Sequence, residues 1–156
     1  MIDNLLERIS RLTSWILLLL VVLIVFDISN RYMFSNGSIA VQEMEWHLFD
    51  IVMLFSLFYT LKFDGHVRVD IIYTNLSKKW KKIVDMLSHL FFIIPFAFLI
   101  IYFSYGFVEL SFNQNEISPN PNGLEYRFVI KSVIIVGFSL LIIQSFVEIS
   151  KLIKQK

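Results

Sequence analysis

From Trp15 to Phe26 the chain runs without a single polar residue, and no other feature limits its fold so strongly. A helix that is apolar on every side needs either a large protein core or hydrocarbon around it, and 156 residues leave room for one compact domain only. Three more apolar stretches follow. The pattern predicts an all-α integral membrane protein, one four-helix domain over 1–156, with spans at about 13–33, 44–63, 86–108 and 127–149. Each is close to the length needed to cross hydrocarbon. Composition agrees: 56% of residues are hydrophobic and 16% aromatic, against about 45–50% apolar in soluble domains.

Residues 1–12 place Ile2, Leu5, Leu6, Ile9 and Leu12 at helical spacing, with Asp3, Glu7, Arg8 and Arg11 opposite. This reads as an extension of the first helix, or alternatively as an amphipathic segment on the membrane surface. Arg8 and Arg11 would suit a signal-peptide start. However, Asp27-Ile28-Ser29-Asn30-Arg31 follows the apolar core where a small-x-small cleavage site would stand. An uncleaved first span is expected.

Ser35-Asn36-Gly37-Ser38 is a turn signal, and the polar, proline-bearing run from Asn113 to Gly123 reads as a loop. Ser77 is a candidate N-cap ahead of Lys78-Lys79-Trp80-Lys81-Lys82, and Pro95 is a candidate kink site. Trp15, Lys79, Trp80 and Lys82 are the expected interfacial anchors.

Sidedness follows from the cations. With four spans, both termini and the basic loop 64–85 share one side, and that side holds eleven of the fourteen Lys and Arg residues. The other side, including the loop 109–126, holds Arg31, Arg127 and Lys131. The positive-inside rule then puts both termini in the cytoplasm and the 109–126 loop on the outer side of the membrane.

Several function classes drop out. A net charge of +1 carries no electrostatic case for nucleic acid. Cysteine is absent, which removes disulfides, thiolate chemistry and Cys-based zinc sites. No phosphate-binding loop, dinucleotide glycine pattern, nucleophile elbow or H-E-x-x-H occurs. No catalytic residue, cofactor or metal ligand is assigned, and no enzyme activity is expected.

The organising stretch is Arg31–Asp70, an apolar segment with charged groups at both ends. Asp27 and Arg31 stand four apart, an ion-pair spacing. Glu43, His47 and Asp50 fall at i, i+4 and i+7 on one helix face, with Glu45 beside them and Arg127 and Lys131 at the same boundary. Carboxylates with one histidine could serve a proton, a cation or a metal. Equally, they could form an ion-pair network that fixes helix order and partner docking. Haem between facing imidazoles is a third reading, but His47 opens the second span on one side while His89 opens the third on the other. A small self-assembling transporter using Asp27 or Asp50 is a fourth.

Arg31-Tyr32-x-Phe34, Glu43-x-Glu45-Trp46-His47-Leu48-Phe49 and Tyr59-Thr60-Leu61-Lys62-x-Asp64-Gly65-His66-Val67-Arg68-Val69-Asp70 come in that order. Ser118-Pro119-Asn120-Pro121-Asn122-Gly123-Leu124 then leads to Arg127 and Lys131. Together these resemble the small, DctQ-like membrane subunit of tripartite ATP-independent periplasmic (TRAP) transporters. Where the family commonly opens its second helix with a Trp-Ser-Glu-Glu-like run, this chain has Val41-Gln42-Glu43-Met44-Glu45-Trp46. The resemblance implies a bacterial inner membrane, with the 109–126 loop periplasmic. It also implies a scaffold packed against a large subunit that carries sodium and substrate in an elevator motion, with a periplasmic binding protein delivering organic acids. It also adds His66, Arg68 and Asp70 to the candidate structural and partner-contact residues, while implying no catalytic or substrate-binding residue.

Overall fold

The computed structural model describes residues 2–63, 73 and 75–154. Among these, every regular element is helical: α1 (Ile2–Phe34), α2 (Ile39–Lys62), α3 (Lys78–Ser88), a π turn (His89–Ile93), α4 (Ile94–Asn113) and α5 (Arg127–Lys154). Four helical stretches are long and apolar enough to cross a membrane, with α3, the π turn and α4 acting as one of them. His66, Arg68 and Asp70 lie outside the described residues.

α1 is continuous from Ile2, so the amphipathic N-terminal segment extends the first helix rather than forming a separate element. Its apolar stripe explains why. Leu6 is almost fully buried among Phe58, Leu61, Ala97 and Leu141, and Glu7 Oε2 meets Lys62 Nζ at 3.5 Å. These contacts hold the first turns of α1 against the last turn of α2. The core therefore sits at the end of the molecule that carries the basic residues.

The third span starts at Lys78, with Ser77 extended before it and Ser77 C=O accepting Lys81 N–H at 3.0 Å. The helix thus starts where the N-cap reading of Ser77 placed it, so residues 78–85 of the basic segment are helical. The π turn has a covalent cause in Pro95. Proline offers no N–H to the carbonyl four residues back and its ring crowds that carbonyl. Widening the preceding turn, with Ile94 N–H donating to His89 C=O, absorbs the mismatch.

α1 packs on α2, α2 on α5, and α5 on α4, so the helices form a row with α1 and α4 at its ends. α2 and α5 run parallel at the centre. Gly137 lets them approach closely: a Cβ there would stand 3.0 Å from Leu54 Cβ and 3.4 Å from Leu54 O. Between α1 and α2 the hydroxyls of Ser10, Thr13, Ser56 and Thr60 donate to carbonyls one turn back, so this polar stripe is internally satisfied.

Candidate functional site: a charged collar at one end of the row

Three clusters form a collar at the end marked by Phe34, Ile39, Asn113 and Arg127. The first is local. Arg31 Nη2 donates to Asp27 Oδ2 one turn back, and Asp27 is only 2% exposed while the Arg31 side chain reaches solvent or lipid. Glu45 lies within electrostatic range of both and has one buried carboxylate oxygen without a hydrogen-bond partner.

The second cluster joins α2 to the 114–126 loop. Both oxygens of Glu43 are occupied. Oε1 accepts from Ser118 Oγ and from Asn120 Nδ2, the latter at 3.1 Å, and Oε2 accepts Leu124 N–H at 2.7 Å. The loop is folded to present these donors: Ser118 N–H donates to Leu124 C=O at 3.0 Å and Gly123 N–H to Asn120 C=O at 3.1 Å. Asn115, Asn122 and Tyr126 take positive φ, a conformation asparagine tolerates better than most residues. Gly123 is required by contact: a Cβ there would lie 2.4 Å from Ser118 Oγ and 2.8 Å from Glu43 Oε2.

The third cluster centres on Glu116. Lys131 Nζ donates to its Oε2, and Arg127 Nε stands 3.7 Å from its Oε1. The adjacent Lys131 ammonium holds the Glu116 carboxyl below the usual carboxylate range. Lys131 also lies 3.9 Å over the Phe107 ring, a cation–π contact that ties α5 to α4. Arg127 begins α5, its N–H donating to Glu116 C=O at 3.1 Å.

Between α2, α4 and α5 opens a groove with a cavity of about 630 Å³. Glu43, His47 and Asp50 line one wall, and Arg127 and Lys131 line the other. The shared face expected for the first three is therefore present, but Glu43 spends its carboxylate on the loop. Among the described residues no three His, Asp or Glu side chains gather as a metal set. His89, nearly buried in the π turn, does not line this groove. Trp15 and Trp80 are exposed, and Lys79 is exposed beside Trp80. Lys82 is half-buried.

Ser118, Asn120, Gly123, Leu124 and Glu116 were not singled out as functional positions from sequence. Their Asn, Pro and Gly content marked a loop, and nothing local showed that it wraps a carboxylate 75 residues away.

The chain matches the family model for the DctQ component of tripartite ATP-independent periplasmic transporters over residues 20–155. No curated protein matches it at the level of individual relatives. The family is one of transporter components rather than enzymes, and its four apolar helices fit a multi-pass membrane protein. By that match over nearly its whole length, this chain belongs to the DctQ family and is a small component of a TRAP transporter.

Proposed function

We propose that the chain is the scaffold subunit of a sodium-coupled, binding-protein-dependent transporter for organic acids, and that it packs against the large transport subunit. Its termini are cytoplasmic and the charged collar faces the periplasm. A periplasmic substrate-binding protein completes the system, and the surrounding lipids fill the remaining contacts.

The observation that carries this reading is the open row of helices. Among the described residues, Leu6, Leu20, Phe58, Leu61, Ala97 and Leu141 are the buried hydrophobics, while large apolar side chains are exposed along all of the helices. A chain that carries a charged solute through its own centre would bury ionisable groups along that path. Here Asp27 alone of the Asp, Glu, Lys and Arg side chains is buried among the described residues, and the collar pairs are Asp27 with Arg31 and Glu116 with Lys131. Such an element presents surfaces and holds its shape while another subunit moves.

The test is purification of the tagged chain from native membranes in mild detergent, followed by reconstitution. A stoichiometric large membrane protein should co-purify. Organic-acid uptake into liposomes should need that subunit, the binding protein and a sodium gradient together. Uptake by this chain alone would overturn the reading, as would recovery only as a homo-oligomer. A Soret band in the same sample would restore the haem alternative.

A further inference from the structure

Among the exposed surfaces of this row, one differs in kind. The outer side of α1, with Leu18, Val22 and Val25 exposed, is apolar, and that of α4, with Leu99 and Phe103, is apolar apart from the hydroxyls of Tyr102 and Tyr105 and the boundary residue Glu109; lipid and its interface satisfy them. The α2 face is different. Trp46, Phe49 and Met53 are exposed there at 72%, 57% and 57%, and the exposed carboxylate of Asp50 stands among them. Among the described residues Asp50 has neither a hydrogen bond nor an ion pair.

Depth makes this carboxylate costly. Asp50 lies seven residues beyond Glu43 along α2, or about 10 Å at 1.5 Å per residue. Twelve more residues, about 18 Å, separate it from Lys62 at the other end. Glu109 is also exposed, but it sits one turn from the end of α4 and reaches the boundary. A charged group at the depth of Asp50 faces protein or water, because hydrocarbon offers it no donor. Among the described residues, the cations lining the groove are already engaged or higher in the collar: Lys131 is held by Glu116, and Arg127 opens α5. The uncompensated sign on the α2 wall is negative.

We propose that the Trp46–Phe49–Asp50–Met53 face of α2, opening into the 630 Å³ groove, is the docking surface for a membrane-embedded helix of the large subunit that places a lysine or arginine beside Asp50. This rests on the scaffold reading and adds the face and the chemistry of its partner. The aromatic and methionine side chains provide the adaptable apolar contact common at interface cores, and the carboxylate fixes depth and register. A second copy of this chain is the poorer occupant, since a two-fold pairing of the same face would bring like charges together. A lipid is poorer too, because its headgroup sits at the boundary, about 10 Å outward of Asp50.

The chain lacks cysteine, so single-cysteine variants report cleanly. Met53→Cys and, as a control on the far side of the row, Phe103→Cys are each co-expressed with the large subunit and labelled in native membranes with a photoreactive benzophenone maleimide. Met53→Cys should give an adduct with the large subunit, and Phe103→Cys should give none. Asp50→Lys should cut the recovered complex at least about tenfold through like-charge opposition, with a smaller loss for the neutral, isosteric Asp50→Asn. If the complex forms but the adduct comes from Phe103→Cys alone, a different face docks: this inference falls and the scaffold reading stands. An adduct only with lipid or with a second copy also overturns it, as does full recovery of the complex with both Asp50 variants. Should Asp50→Lys fail to insert, Asp50→Asn and the cross-links still decide. A wild-type chain that recovers no large subunit overturns the scaffold reading itself.

Discussion

The Glu43 carboxylate accepts the backbone N–H of Leu124 at 2.7 Å, across 81 positions of chain. A side chain on α2 thereby sets the conformation of the loop between α4 and α5, and with it the start of α5. With Ser118 and Asn120, three donors converge on two oxygens. Charge-assisted bonds of this kind are stronger than neutral ones.

Glu43→Gln should release this loop. The amide offers one acceptor oxygen and turns an NH₂ group toward donors that need an acceptor, so at least one of the three bonds is lost and a donor faces a donor. Hydrogen–deuterium exchange of peptides covering residues 115–126 should rise markedly, while peptides in α1 and the basic end of α2 stay unchanged. Unaltered exchange at Leu124 would show that the carboxylate does not hold the loop.

Two glycines provide a matched contrast. A Cβ at Gly123 collides with Ser118 and Glu43, whereas a Cβ at Gly106 meets nothing within 4 Å. Gly123→Ala is therefore expected to destabilise by about 1–3 kcal/mol, the usual range for forced overpacking, and to raise exchange in the loop as Glu43→Gln does. Gly106→Ala lies inside α4 and should be neutral or stabilising by about 0.5–1 kcal/mol through backbone entropy. Thermal unfolding in detergent followed by tryptophan fluorescence compares them. Equal shifts for the two would contradict the contact geometry.

How far these relationships were legible depends on their distance in sequence. Asp27 with Arg31 could be read from a four-residue spacing, since helix geometry alone brings them together. The shared face of Glu43, His47 and Asp50 followed from periodicity in the same way. Periodicity does not say whether a face is covered, so Asp50's exposure appeared only with the packing of α2 on α5. The Glu43 cradle was hidden for a different reason: Asn-Pro-Asn-Gly chemistry announces turns but does not name what they enclose. Pro95 marked a disturbance in the third span. Its form, a widened turn from His89 to Ile93, depends on how the chain re-registers around a missing donor.

Arg31→Ala strips the partner from a carboxylate that is 2% exposed. Breaking such a pair leaves an uncompensated charge, which is worse than removing both members. The single variant should lower the yield of folded protein and of intact complex. Asp27→Asn combined with Arg31→Ala should recover much of the loss. Measuring monodisperse yield by fluorescence-detected gel filtration for the full cycle gives the coupling, and additive losses would show that the pair is not an interacting unit.

The Glu116–Lys131 pair should make the collar loop acid-sensitive. Glu116 titrates below its ordinary value in the folded protein because the Lys131 ammonium favours the carboxylate. The sign follows by linkage: a carboxyl depressed by folding contributes stability that is fully present above its unfolded value, about 4.3, and is lost as pH falls through its lower folded value. Loop exchange and melting temperature should therefore be flat with respect to this pair from neutral pH down to about 4.5 and should deteriorate below that. Glu116→Gln removes the titrating group and should flatten that acid limb while lowering stability at neutral pH. An acid limb of the same size in the Glu116→Gln protein would assign the sensitivity to another carboxylate, with Glu43 the next to substitute.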